Sequence, residues 1–371
     1  MLNFLSKLIP GFVSKKGKGV GIEITPNQIN IAKVSGTDRG YELQVLASKE
    51  VPEGIYTEGK IFDPPTLAEL IKEALEENDI STKSVSTAIP MRDSIVNIIP
   101  VPAELEEDEL REVVLNQEAG LYLPYPKEEV DLDYQKLGYF ADEDGIEKVQ
   151  VLLIATRREA TDMYLDIFQQ QVGLTVNTLE INTIALIRTI REQLRQYPSQ
   201  EGVVLVDIEF DSTELAIIVD GVPEFNRTIP IGSFQLQSAL SRAMNLPPSR
   251  NLEPLQEMTL PLASGETKEE TTPLNPGMGA LQRVLGELTD EVRRSVDYYL
   301  NQTEDLEIVQ IFLAGSGAGI GQLDSFFYQR LSIPTIQIDP IEALSLETNE
   351  EISAAQRASL GTVLGLALRE V

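Results

Sequence analysis

The chain has 371 residues, 42% hydrophobic and 24% charged, with 30 lysines and arginines against 59 acids and a formal charge of −29. One domain usually takes ~100–200 residues, so two packed lobes are expected, and the composition is that of a folded chain. The absence of cysteine and histidine excludes disulfides, thiolate or imidazole metal sites and histidine acid–base chemistry, and so negative a surface repels a nucleic-acid backbone.

The start, residues 1–18, departs from this acidity. Lys7, Lys15, Lys16 and Lys18 alternate there with Leu2, Phe4, Leu5, Leu8, Ile9, Phe12 and Val13, without an acid. The segment reads first as a tail and second as a stretch lying on an anionic membrane surface. Pro10 and Gly11 interrupt it and no small-residue cleavage pattern follows, so it does not read as a signal peptide. Nothing downstream approaches the ~18 consecutive apolar residues of a membrane span.

Alternating strand and helix patterns then run through the chain, which predicts an α/β architecture with helices on sheets. Short β-branched runs at Gly19–Thr25, Gln28–Ser35 and Tyr41–Lys49 are separated by turn residues. Thr66 with Glu69 has the spacing of a capping box before the apolar stripe Leu67, Leu70, Ile71, Ala74 and Leu75. Residues 92–180 read as an inserted subdomain, with strands, an acidic helix at Glu104–Ala119 and the breaker Leu123-Pro124-Tyr125-Pro126. A first lobe is thus expected over 19–91, with a return and crossover at 181–201. A second lobe over 202–371 contains a flexible loop at 247–279, where six prolines occur without periodicity.

One element is used twice. Gly21-Ile22-Glu23-Ile24-Thr25-Pro26-Asn27-Gln28-Ile29-Asn30-Ile31-Ala32 aligns with Leu205-Val206-Asp207-Ile208-Glu209-Phe210-Asp211-Ser212-Thr213-Glu214-Leu215-Ala216, allowing one extra residue in the second turn. Each copy is an apolar strand with an acid near its end, a polar turn and a returning strand. Two such turns facing across a cleft can offer backbone N–H groups and hydroxyls to phosphates, with the strand-end acids on a hydrated cation. The strand Ile308–Ala314 runs into Gly315-Ser316-Gly317-Ala318-Gly319, small enough to let a flat nucleoside approach.

At these residues the chain resembles the actin-like ATPase superfamily, and more closely the PilM family of type IV pilus assembly proteins, relatives of the cell-division protein FtsA. The resemblance also rests on Arg227-Thr228-Ile229-Pro230-Ile231-Gly232, on Glu118-Ala119 with Tyr122-Leu123-Pro124, and on Asp131-Leu132-Asp133-Tyr134. It includes Glu291-Val292-Arg293-Arg294-Ser295-Val296-Asp297-Tyr298-Tyr299 and the closing Gly361-Thr362-Val363-Leu364-Gly365-Leu366-Ala367-Leu368-Arg369. It implies two duplicated RNase-H-like lobes with an FtsA/PilM-type inserted subdomain, and ATP with Mg²⁺ between the lobes. It also implies a cytoplasmic protein, peripheral at the inner membrane, that holds the N-terminal cytoplasmic tail of PilN beside the pilus platform and motor proteins.

By the same resemblance, Thr25, Asn27, Gln28, Asp211, Ser212, Thr213, Gly315, Ser316 and Gly317 would line the nucleotide, Glu23 and Asp207 would hold the metal through water, and Glu180 would position an attacking water. The departures fall on this site. Family turns carry glycine where this chain has Thr25 and Glu209, Pro26 donates no N–H, and Asn30 replaces a basic residue. The Glu-and-Lys helix motif that helps hold the adenosine is missing. The expectation is therefore a pilus scaffold with a degenerate nucleotide site. Glu23 and Asp207 are then either weak cation ligands or solvated acids of a dead cleft. An active ATPase and an actin-like filament former are the alternatives.

Overall fold

The computed structural model describes residues 18–38, 40–142, 144–261, 276–303, 305–349 and 351–370. The basic start up to residue 17 and the middle of the expected loop, 262–275, lie outside the described residues. In chain order the strands are β1 (Lys18–Ile24), β2 (Gln28–Thr37), β3 (Gly40–Glu50), β4 (Tyr56–Thr57), β5 (Lys60–Ile61), β6 (Ser84–Ile89), β7 (Ser94–Pro102), β8 (Val130–Ala141), β9 (Glu147–Arg157), β10 (Thr175–Ile181), β11 (Glu201–Ile208), β12 (Thr213–Val219), β13 (Val222–Ile229), β14 (Glu307–Ala314) and β15 (Thr335–Gln337). The helices that position the site are α1 (Pro64–Glu77), α2 (Asn182–Thr189), α3 (Ser233–Ala243), α4 (Pro276–Leu300) and α5 (Gly361–Ala367).

Two sheets share one topology. The first runs β3-β2-β1-β6-β10 and the second β13-β12-β11-β14-β15. In both, the first three strands are an antiparallel meander and the last two join in parallel. A strand that re-enters in parallel needs a crossover of a dozen or more residues, and the intervening helices supply it. Each sheet buries its own core: Ile22, Ile31, Leu67, Ile71 and Phe168 in the first lobe, and Val206, Leu285, Leu288, Val292 and Phe327 in the second. This is the actin-like, duplicated α/β fold expected.

The inserted unit is a three-stranded sheet, β7-β9-β8, with its own small core of Ile99, Val101, Leu110, Val114 and Leu153. Its packing ends at Arg157. The helix that follows buries Tyr164, Ile167 and Phe168 in the first lobe, and β10 is that lobe's edge strand, so residues 158–180 do not belong to the insert as expected. The α1 cap also moves. Asp63, not Thr66, accepts the Thr66 N–H at 3.2 Å, and Pro64 and Pro65 occupy the first helical positions, where a missing N–H costs nothing.

The stretch expected as loop at 247–279 is ordered at both ends. Leu252, Leu255 and Leu260 are buried in the second lobe around a short helix, Glu253–Gln256, and Pro276 opens α4. The chain end also departs from the expected second lobe: Leu360, Val363, Leu364 and Ala367 pack on Ala32, Val34 and Leu43 of the first sheet. Glycines make that contact possible. A Cβ on Gly21 would sit 2.5 Å from the Val363 carbonyl oxygen and 2.6 Å from the Ala367 nitrogen. Helix α2, buried from Thr183 to Thr189, joins the lobes: Leu186 and Ile187 cluster with Val203, Leu205 and Phe312 of the second sheet.

Candidate functional site

The two hairpins are equal in length. Ile24 pairs with Ile29 and Ile208 with Thr213, so each turn holds four residues and no extra residue is needed in the second. The turns close alike, with Thr25 N–H to the Gln28 carbonyl at 2.8 Å and Glu209 N–H to the Ser212 carbonyl at 2.9 Å. The register therefore equates Glu23 with Asp207 and Asn30 with Glu214. Both turns face the cleft between the lobes.

The turns spend their donors on themselves. Thr25 Oγ1 donates to the Gln28 carbonyl at 2.9 Å and accepts the Gln28 N–H at 3.1 Å, while Pro26 has no N–H to give. Thr213 turns away from the cleft, donating to the Ile231 carbonyl at 2.6 Å. Gly315 and Gly317 are buried against the end of β11. Gly315 has φ +86, and a Cβ there would lie 2.5 Å from the Ile208 carbonyl oxygen, so packing requires glycine at this turn. Ser316, Asn27 and Gln28 do line a cavity of about 590 Å³, together with Arg250, Gln256 and Gln356.

Beyond that cavity, the floor between the turns is a pocket of only about 40 Å³ walled by Glu23, Glu209, Asp211 and Glu214. Burial pushes Glu23 up to about 8, Glu209 to about 8 and Glu214 to about 7, and holds Asp207 well above the usual carboxylate range; neighbouring carboxylates add to each rise. Glu23 accepts from Asn30 Nδ2 at 3.1 Å, which opposes the shift, and Asp207 Oδ2 is buried without a hydrogen-bond partner among the described residues. The expected metal ligands thus come together, beside further acids that push their carboxyls up. Among the described residues no group of three or more carboxylates could hold a metal ion.

Several residues missed in the sequence organise this floor and the turns above it. Arg92, just after β6, bonds Asp211 Oδ1 at 2.5 Å and also Ser212 Oγ. Asp211 Oδ2 accepts the Glu58 N–H at 2.8 Å. Glu214 accepts the Met91 N–H at 3.0 Å and Asn182 Nδ2 at 2.7 Å. From the second lobe, Arg250 lies 4.8 Å over the Phe210 ring and donates to the Pro26 carbonyl at 2.6 Å. The one sequence signal for Arg92 was a cation beside a strand end in an acidic chain. The turn N–H groups at Thr25, Gln28 and Glu209 are already used within the hairpins and the small pocket between the turns is walled by acids, a donor set that fits a triphosphate poorly.

Glu180 is not in this cleft. It lines a groove of about 300 Å³ between β8 and β10, and both its oxygens are taken by the fork of Arg188, at 2.6 and 2.7 Å. Arg188 also donates to the Gly365 carbonyl at 2.9 Å. Away from both turns, Glu180 is not placed to orient a water at a phosphate between them, so the catalytic role expected for it is withdrawn. Its groove is bordered by two sheet edges, since β8 and β10 each end their sheets. Leu132, Tyr134, Ile154, Leu179 and Ile184 supply apolar walls, with Asp131 and Asp133 at the rim.

The description of type IV pilus assembly protein PilM matches residues 21–371. A solved structure described as the PilM-PilN type IV pilus biogenesis complex is similar to this chain at 27% identity and TM-score 0.78, covering 96% of this chain and 99% of that one. The ethanolamine utilization protein EutJ from Carboxydothermus hydrogenoformans is similar at 15% identity and TM-score 0.55, covering 99% and 96%, a likeness of fold alone. Duplicated sheets with matching turns, an inserted three-stranded unit and a match over nearly the whole sequence lead to one conclusion: the chain belongs to the PilM family of type IV pilus assembly proteins.

Proposed function

We propose that this protein is the cytoplasmic-face component of a type IV pilus assembly platform, and that it captures the extended N-terminal tail of a PilN-like membrane protein in the groove between β8 and β10. The observation that carries the reading is the pairing of two sheet edges across one groove. Edge strands present backbone N–H and C=O groups in a row, and an extended peptide satisfies them by adding as a strand while its alternate side chains fill apolar pockets. Leu132 and Leu179 are placed to receive such side chains. The solved relative described as a PilM-PilN complex supports the partner's identity. No described helix is long and apolar enough to cross a membrane, and in this reading the partner's own anchor brings the protein to the inner membrane.

The cleft between the lobes is not a working ATP site in this reading, because of the acids and the occupied turn donors described above. Binding of a synthetic peptide from the PilN-like protein of the same organism tests the proposal, with Leu179→Arg as the groove variant. Saturable binding that Leu179→Arg weakens at least tenfold is expected. Absence of binding at high micromolar peptide, or equal binding by the variant, overturns it.

A further inference from the structure

In an actin-like fold the two lobes meet at a cleft whose turns carry acids from both sides, and something must offset their repulsion. Here Glu23 from one lobe and Glu209, Asp211 and Glu214 from the other converge on a pocket of about 40 Å³, with Asp207 buried beside them. We propose that Arg92 is an internal replacement for the cation and phosphates of a nucleotide, latching the lobes closed by gripping the second-lobe turn through Asp211 and Ser212.

The geometry is that of a built joint. Arg92 and Asp211 expose only 19% and 12% of their side chains, so the pair is shielded from salt. Each turn is held by an arginine that reaches toward the opposite lobe: Arg92 crosses from the first lobe to the second turn, and Arg250 crosses from the second lobe to the Pro26 carbonyl of the first. Around Arg92 two carboxylates of the second hairpin are also met by donors outside it, Asp211 Oδ2 by the Glu58 N–H and Glu214 by the Met91 N–H and Asn182. A guanidinium is suited to this place because its planar fork satisfies a carboxylate and a hydroxyl at once and keeps its charge at every working pH.

A ligand closes lobes only by its differential affinity for the closed state, and a tethered guanidinium supplies that preference without any ligand. Closure is then constitutive, and Mg²⁺–ATP has no open state left to close. This inference does not depend on the peptide groove, which lies elsewhere in the first lobe and insert.

The absence of cysteine makes the test direct, since two introduced thiols are the only ones. Spin labels at Glu50→Cys and Glu253→Cys, which line the larger cavity from opposite lobes, report the gap by pulsed dipolar spectroscopy in the full chain. The parent should give one narrow distance. Arg92→Ala should lengthen and broaden it, Asp211→Asn should do the same by removing the other half of the pair, and Arg92→Lys should fall between. Calorimetry of the unlabelled protein with Mg²⁺–ATP should show no saturable heat. An Arg92→Ala distribution matching the parent's in a protein of unchanged circular dichroism overturns the latch, as does saturable Mg²⁺–ATP binding by the parent. Should Arg92→Ala fail to fold, Asp211→Asn decides by the same distance.

Discussion

Substituting Gly365 by alanine perturbs the tightest helix crossing that the structure describes near the groove. A Cβ there would lie 2.6 Å from the Ala185 carbonyl carbon and 2.9 Å from Thr189 Oγ1. Ordinary contact needs ~3.5 Å, so α5 must retreat from α2 by about 1 Å. The retreat stretches two buried bonds, Arg188 Nη1 to the Gly365 carbonyl at 2.9 Å and Thr189 Oγ1 to the Gly361 carbonyl at 2.7 Å. Overpacking costs ~1–3 kcal/mol, the charged bond ~1.5–3 and the neutral one ~1, or roughly 3.5–7 kcal/mol together if both bonds are lost. That is a large share of the ~5–15 kcal/mol that usually separates folded from unfolded chains. Urea unfolding should therefore show a strongly lowered midpoint for Gly365→Ala, and because Arg188 steadies Glu180 at the groove, peptide affinity should fall with it. Gly138→Ala is the control. A Cβ at Gly138 meets nothing within 4 Å, and its cost should stay within about 0.5 kcal/mol. A Gly365→Ala protein as stable as that control would refute the crossing as described.

Stability should fall as pH rises from about 5 to about 8, the reverse of ordinary acid denaturation. Glu23 has an unfolded reference near 4.5 and stands at about 8 in the fold, so over that window the native state keeps protons that the unfolded chain has lost, with a slope of up to ~1.4 kcal/mol per pH unit per group. Asp207→Asn, which removes one of the raised acids, should flatten the slope and raise stability at pH 8; thermal melts across pH would show an unchanged slope if the cluster were ionised. Glu180→Ala should destabilise by ~3–5 kcal/mol, because it strands the buried Arg188 charge. Denaturant titration reads that loss, and Glu180→Gln, which keeps one acceptor, should lose less. Any phosphate-release activity that vanished selectively in Glu180→Gln, with stability intact, would restore the catalytic role withdrawn above.

The duplication was legible because period-two apolar runs and turn residues are local signals, and both hairpins carried them: β1 to β2 and β11 to β12 lie where the runs placed them. The family was legible from the same residues, reinforced by the Arg-Arg-Ser motif on α4. Equal turn lengths were also present in the sequence, but only the pairing of Ile24 with Ile29 and Ile208 with Thr213 fixed the count.

What the sequence determined alone was what neighbouring residues decide: the two α/β lobes, the missing turn glycines and the exclusion of thiol and imidazole chemistry. Contacts between distant residues needed the tertiary structure. Glu180 looked catalytic until Arg188, one helical segment later, was seen to hold both its oxygens. The span from 247 looked like loop because prolines hide periodicity, yet Leu252, Leu255 and Leu260 find a core supplied by other elements. Arg92 and Asp211 are 119 residues apart, and no local pattern joins them. The charge of a cleft is a sum over both lobes, so only their docking reveals which carboxylates crowd together and which cation answers them.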